Sequence, residues 1–370
     1  MRTRNSVILL LLVAFVLGAC APAQPATEEP TEAPAIVATE VPAEQPTEPA
    51  EVQPEETEAP AEMETISLRM NASPFMSYAP LFIAEAEGYF AEQGIEMEFI
   101  PMAGTSEALP AFMAGDLDVL GASVNSGVLN VLSQDDSIKV VADRGSITQD
   151  DQCTYMGIMV AQDLYESGAV TGPEDLAGRT VSVRASSNTG YLVDSYLAQA
   201  GLSLDDVEVN PIPETAYIDA FQTGALAAIV TSEPSLSRTI NSGEAALLAS
   251  AEDVIGTFQS SVLLFGPKLL VDDREASIRF MTAYLKGVRQ YAEGKTERNL
   301  EILSEMTTET QETLNESCWP SINTNGAIDF PSTDNFQQWL IGHGYLDNAV
   351  TEEQFWDPSI VQAAAALLDE

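Results

Sequence analysis

From residue 66 onward the chain alternates short apolar strands with helix-length segments, and it does so twice. Residues 66–71 (ISLRMN) alternate with the two-residue period of a strand. Residues 80–92 carry Leu81, Phe82, Ala84, Ala86 and Phe90 at helical spacing, and Gly94 closes the segment. Strands follow at 95–102, 118–122 and 138–143, with helices at 105–114 and 124–133 between them. Thr105 or Ser106 caps the first of these helices and Gly115 stops it. The pattern restarts with strands at 156–161, 180–184, 207–211, 226–231 and 245–248, and helices at 189–200 and 217–223. Gly115-Asp116-Leu117-Asp118-Val119 corresponds to Gly224-Ala225-Leu226-Ala227-Ala228. Strands joined by helix-length crossovers predict parallel sheets. The expected class is α/β, with two similar lobes, each a mainly parallel sheet flanked by helices, and a cleft between them. A further strand at 262–265 and helices near 273–293, 297–305 and 360–368 are expected to pack on the first lobe.

The first sixty-five residues contain neither pattern. Arg2 and Arg4 precede an eleven-residue apolar run, 7–17, and then Leu17-Gly18-Ala19-Cys20. Eleven residues are too few for a spanning helix but suit the core of a cleaved signal. The order Leu-Gly-Ala-Cys resembles a bacterial lipobox, which predicts lipid on Cys20 and a membrane anchor without a transmembrane helix. Residues 21–65 hold nine prolines, twelve glutamates and no lysine or arginine. Such a stretch buries too little apolar surface to offset its ordering entropy, and reads as a disordered tether. Extended, it would reach roughly 140 Å at about 3.1 Å per residue.

The part from residue 66 carries 45 acids against 13 bases. That balance excludes nucleic acid as a partner, because neutralising phosphates takes basic clusters. Besides Cys20 only Cys153 and Cys318 remain, without metal-ligand spacing, and outside the cytoplasm two such thiols can pair as a disulfide. His343 is the single histidine and reads as a surface or packing residue. No metal site, cofactor or catalytic group is expected.

Ligands of α/β lobes bind beyond the carboxyl ends of the strands, where loops run into helix starts. Here those positions are small and polar: Ser73, Phe75 and Tyr78 after the first strand, Thr105 and Ser106 after the second, Ser123 and Asn125 after the third. In the second lobe Ser187, Asn188 and Thr189 precede a helix. Free N–H groups at helix starts suit anionic oxygens, and short hydroxyl and amide side chains either cap those helices or donate to a ligand. Arg184 can pair with an anion; Phe75, Tyr78, Tyr191 and Tyr217 offer aromatic faces or core packing. Glu214 and Glu233 can accept N–H groups from an amine or aminopyrimidine, and Glu214 reads as a solvated surface acid. The donors and the acids point to different ligands.

Four segments in order resemble one family. They are Tyr78-Ala79-Pro80-Leu81-Phe82-Ile83-Ala84 with Gly88-Tyr89-Phe90; Met113-Ala114-Gly115-Asp116-Leu117-Asp118; Leu176-Ala177-Gly178-Arg179-Thr180-Val181; and 221–230 with Glu233-Pro234. Together they resemble the nitrate, sulfonate, taurine and thiamine-pyrimidine-precursor binding proteins of ABC transporters. The resemblance implies a periplasmic-binding-protein type II fold with interlobe crossings near 149–155 and 255–260. With the signal (1–19) and the lipidated Cys20 with its tether (20–65) read above, the chain divides further into lobe 1 (66–155), lobe 2 (156–257) and a return to lobe 1 with C-terminal helices (258–370). The resemblance is to a binding protein. It implies a monomer on the extracytoplasmic membrane face that captures a small nitrogen- or sulfur-containing organic solute and passes it to ABC permease subunits. Two alternatives share the fold: an enzyme like the pyrimidine synthases, which use histidine and cysteine-rich segments lacking here, and a ligand-sensing lipoprotein.

Overall fold

A computed structural model describes residues 64–148, 153–307 and 309–369. The signal segment, Cys20 and the tether up to residue 63 lie outside the described residues, as does the first part of the first expected crossing, 149–152. Ten strands occur in the described chain: β1 (Ile66–Ala72), β2 (Ile95–Pro101), β3 (Val119–Ser123), β4 (Lys139–Ile147), β5 (Met156–Ala161), β6 (Thr180–Ser182), β7 (Glu208–Val209), β8 (Ala228–Ser232), β9 (Ala245–Ser250) and β10 (Phe258–Phe265). They form two sheets, in the orders β2-β1-β3-β10-β4 and β7-β6-β8-β5-β9. The two orders are the same arrangement built twice. β3 and β8, which the corresponding segments 115–119 and 224–228 lead into, hold equivalent places.

The sheets are mixed rather than mainly parallel. β2, β1 and β3 run parallel, as do β7, β6 and β8, but β10 and β5 run antiparallel to both neighbours. The cause is the crossing. β10 begins beside the end of β3, with Ser261 opposite Ser123, and β5 begins beside the end of β8, with Met156 opposite Ser232. Each therefore enters its sheet at the carboxyl ends of the parallel strands and must run back along them.

The expected helix at 80–92 breaks at Gly88, whose φ of 75° is left-handed, into Ala79–Ala86 and Tyr89–Glu92. The helix Arg274–Tyr291 is capped by Asp273, whose carboxylate accepts the Ala276 N–H at 2.9 Å. Its buried face (Phe280, Met281, Tyr284, Leu285, Val288) recurs every three or four residues and packs on Ala79–Ala86 and on the last helix, Ser359–Asp369. The C-terminal helices thus pack on elements of the first sheet, and they also reach the second. Pro331–Gly342 packs on Asn188–Ala198, where the Trp339 indole donates to Asp194 Oδ2 at 2.7 Å. Tyr191 joins that contact, lying against Phe258, Phe336 and Trp339. His343 stacks near Trp339 and Tyr345 in the same cluster. Cys153 and Cys318 are joined by a disulfide, their Cα atoms 5.5 Å apart.

Candidate functional site

The carboxyl ends of both sheets open onto one cleft of about 450 Å³. Eleven of the thirteen expected ligand residues line it: Ser73, Phe75, Tyr78, Thr105, Ser106, Ser123, Asn125, Arg184, Ser187, Asn188 and Thr189. They arrive there because three helices, Thr105–Met113, Ser126–Gln134 and Asn188–Ala198, begin at its wall. The rims also touch across the cleft. The Ser126 N–H donates to the Ser186 carbonyl at 3.3 Å, and Asn125 and Ser187 form an antiparallel bridge.

Several of these polar side chains hold the cleft walls. Asn125 Oδ1 caps its helix by accepting the Val128 N–H at 3.0 Å. Thr105 Oγ1 accepts the Ser123 N–H at 2.9 Å, tying two lining loops together. Ser73 donates to the Met102 carbonyl. Thr189 Oγ1 accepts the Arg184 N–H at 3.2 Å and lies 2.9 Å from Ser187 Oγ. This turn closes tightly enough that a Cβ at Gly190 would fall 2.3 Å from the Ala185 carbonyl oxygen. Asn188 differs: its side chain has no hydrogen bond to the described protein, and it is buried at the cleft wall.

The floor holds a cation that periodicity does not reveal. Arg144 in β4 is 2 % exposed and lines the cleft. Its Nη1 donates to Ser77 Oγ at 2.7 Å, its Nε to the Val262 carbonyl at 3.4 Å, and its guanidinium lies 4.0 Å from the centre of the Tyr78 ring. No carboxylate pairs with it among the described residues. Tyr78 is itself fixed: the buried Asn71 amide donates to its Oη at 2.6 Å, and that hydroxyl donates to the Gly121 carbonyl at 3.0 Å. Residue 121 must be glycine for this, since a Cβ there would lie 2.8 Å from Tyr78 Cε1. Tyr78 thus lines the cleft with its ring set against Arg144.

Ser77, Arg144, Tyr155, Glu214, Thr231 and Ser232 also line the cleft. Burial raises the Tyr155 phenol's pKa; the Ser232 and Ser77 hydroxyls and Arg144 oppose that rise, and Glu214 adds to it. Glu214 is half-buried rather than solvated. Burial raises its carboxyl, against the Ser235 hydroxyl, which donates to Oε2 at 2.8 Å, and against Arg238 and Arg184. Thr231 Oγ1 is buried without a hydrogen-bond partner among the described residues.

Tyr217 and Glu233 are placed elsewhere. Tyr217 is buried in a separate apolar cluster with Phe221 and Leu236, because it faces inward from its own short helix, Tyr217–Gln222. Burial pushes its phenol up to about 12. Glu233 is 2 % exposed and committed to protein donors: Ser237 N–H at 3.0 Å, Ser237 Oγ at 2.7 Å and the Cys318 N–H at 3.1 Å.

Residues 76–296 match the NMT1/THI5-like protein family, more than half of the chain. The chain belongs to that family. Solved structures share the fold of this NMT1/THI5-like chain. The ligand-binding component of an ABC-type import system from Staphylococcus aureus, with zinc bound, is 15% identical, with a TM-score of 0.68 over 80% of this chain and 98% of that one. The nitrate-binding protein NrtA from Synechocystis PCC 6803 is 15% identical, with a TM-score of 0.66 over 83% of this chain and 90% of that one. The alkanesulfonate-binding protein SsuA from Xanthomonas axonopodis pv. citri, bound to MOPS, is 16% identical, with a TM-score of 0.63 over 79% and 99%. Comparison with curated proteins finds no match. The fold is that of the periplasmic binding proteins.

Proposed function

We propose that this NMT1/THI5-like chain is the extracytoplasmic solute-binding lipoprotein of an ABC importer. It captures a small organic solute between its lobes and hands it to permease subunits without changing it. The observation that carries the reading is the convergence of three helix starts and a buried arginine, drawn from both sheets, on one cleft of about 450 Å³. That volume suits a small organic molecule. Fixed donors from two lobes bind best when the lobes close on the solute, which is the motion a delivery protein uses. The lipobox-like Leu17-Gly18-Ala19-Cys20 supplies the anchor and the acidic tether the reach.

The test has two parts. A panel of small organic solutes is screened by melting temperature, and the stabilising solute is then recovered and weighed. Binding with the solute returned unaltered supports the reading; a chemically changed product supports an enzyme instead. Mass spectrometry of the membrane-extracted protein should find acyl chains on residue 20, and Cys20→Ala should lose them. An unmodified mature N-terminus elsewhere removes the anchor from the proposal.

A further inference from the structure

The cleft is bipolar. Arg144 lies at its floor, buried and without a carboxylate partner among the described residues. A guanidinium stays charged at any physiological pH and has five N–H donors. The protein engages one hydrogen on Nε and one on Nη1, while Nη2 makes no hydrogen bond to the described residues. The Tyr78 ring face and Ser77 hydroxyl hold the guanidinium in place without neutralising it. A buried, fixed and unpaired cation at the base of a cleft awaits an anion.

Glu214 comes from the other lobe, just before the helix Tyr217–Gln222. It lines the same cleft half-buried, and it makes no ion pair within 4.0 Å among the described residues. Among the described residues its one donor is the Ser235 hydroxyl, which leaves the rest of its acceptor capacity open. Arg144, Glu214 and Tyr155 line the same cleft, and both charges act on the Tyr155 phenol. Two further charged groups line the cleft. Arg184 is exposed and acts on Glu214; Glu107 is exposed and its Oε2 accepts the Ala103 N–H at 2.8 Å. Neither matches the burial of Arg144, and neither lies at the floor with it.

We propose that the solute is bipolar: it carries an anionic group that Arg144 takes and, on the same molecule, an ammonium or other N–H-bearing group that Glu214 takes. Closure then brings one charge from each lobe onto one ligand, so a solute with only one end leaves a half-buried or buried charge of the protein unanswered. The buried Thr231 hydroxyl, in β8 and without a hydrogen-bond partner among the described residues, lines the same cleft and has capacity for the same molecule. A cleft of about 450 Å³ has room for both groups and a connecting body.

This rests on the cleft being the solute site, and the test separates the two ideas. The full chain is titrated calorimetrically with ω-amino carboxylates, ω-amino sulfonates and 4-(aminomethyl)benzoate, and for each with the acid alone, the amine alone and an uncharged isostere. The expected result is binding of at least one bipolar member, with its one-ended analogues at least tenfold weaker. Glu214→Gln, nearly isosteric, should erase the preference for the amino end while keeping the acid-only affinity. Arg144→Met should abolish binding of the acid-only and the bipolar probes alike. Melting of each unliganded variant shows that it is folded. A one-ended or uncharged probe that binds as tightly as its bipolar counterpart overturns the inference and leaves the solute-binding role standing. So does an unchanged ratio in Glu214→Gln. Failure of every probe of all four kinds overturns both.

Discussion

Oε1 of Glu233, in lobe 2, accepts the backbone N–H of Cys318, in the C-terminal segment, at 3.1 Å. The same carboxylate holds the Ser237 N–H and hydroxyl, and Cys318 carries the disulfide to Cys153. A residue that reads from sequence as a ligand acceptor is therefore a clamp. Glu233→Ala should strand buried donors and cost on the order of 1–3 kcal/mol of unfolding free energy. Solute affinity should stay within about twofold, because Glu233 is absent from the cleft wall. Urea unfolding and calorimetry on the same preparation check this. Intact stability with lost affinity would return Glu233 to the site.

The disulfide closes a loop with a sequence separation of 165. Cross-linking so long a loop removes much chain entropy from the unfolded state. Replacing both Cys153 and Cys318 with serine should lower stability by about 2–5 kcal/mol. Alkylation of the denatured wild type without reductant should label neither cysteine, and after reduction should label both. Stability equal to wild type would mean that the Glu233 clamp alone holds this segment.

Asp143 gives a pH signature. It is 1 % exposed, and burial pushes its carboxyl from 3.8 up to about 6. The N–H groups of Gly145 and Asn323 and the Gln259 amide all donate to it, which limits the rise. A carboxyl with a higher pKa folded than unfolded binds its proton more tightly in the folded state. Its contribution is fully present below 3.8, where both states are protonated, and is lost as pH rises through about 6. The whole difference is on the order of 3 kcal/mol. Asp143→Asn has no such slope. The stability of the variant relative to wild type should therefore improve between pH 3.5 and 7, on top of a constant penalty for the lost acceptor. Parallel stability curves across that range would show that Asp143 titrates alike in both states.

The fold was readable where local rules decide it, and obscure where distant segments do. Gly94, Gly115, Gly201 and Gly224 punctuate strand–helix units, so the doubled pattern emerges from composition and period alone. That β5 and β10 run backwards depends on where the chain crosses, which no local pattern encodes. The same division holds for the cleft. Thr105, Asn125 and Asn188 were readable because each starts a helix after a strand. Arg144 was not: β4 runs to Ile147, past the expected strand end at 143, and a charged residue inside a strand gives no sign of facing a cleft. Glu214 has the composition of a surface acid and becomes half-buried only because Ser235 and the cleft wall close over it. Tyr191 and Tyr217 follow the lining residues Thr189 and Glu214 within one helical turn, yet their side chains turn toward packing clusters.

Neighbouring residues at one helix start should separate binding from folding. Thr189 Oγ1 accepts the Arg184 N–H and meets Ser187 Oγ, so its hydroxyl belongs to the turn that shapes the cleft wall. Asn188 makes no side-chain hydrogen bond to the described protein, although it is only 7 % exposed and lines the cleft. An amide so placed has its donors and acceptor free for a solute. Asn188→Ala should leave the melting temperature of the unliganded protein unchanged, because no protein partner is lost. It should weaken solute binding by roughly 5- to 150-fold, the equivalent of about 1–3 kcal/mol for a hydrogen bond left unmade in a closed site. Thr189→Ala should do the reverse in emphasis: it lowers the unliganded melting temperature by disturbing the turn, and it weakens binding only through that disturbance. In excess solute, about 100 times the dissociation constant, wild type gains roughly 2.7 kcal/mol of stability, and at that same solute concentration Asn188→Ala should gain much less. Glu297→Ala, an exposed residue on a helix outside the cleft, is the control and should move neither quantity. If Asn188→Ala destabilises the free protein and binds solute as wild type does, its amide supports the wall and the solute contacts lie elsewhere in the cleft.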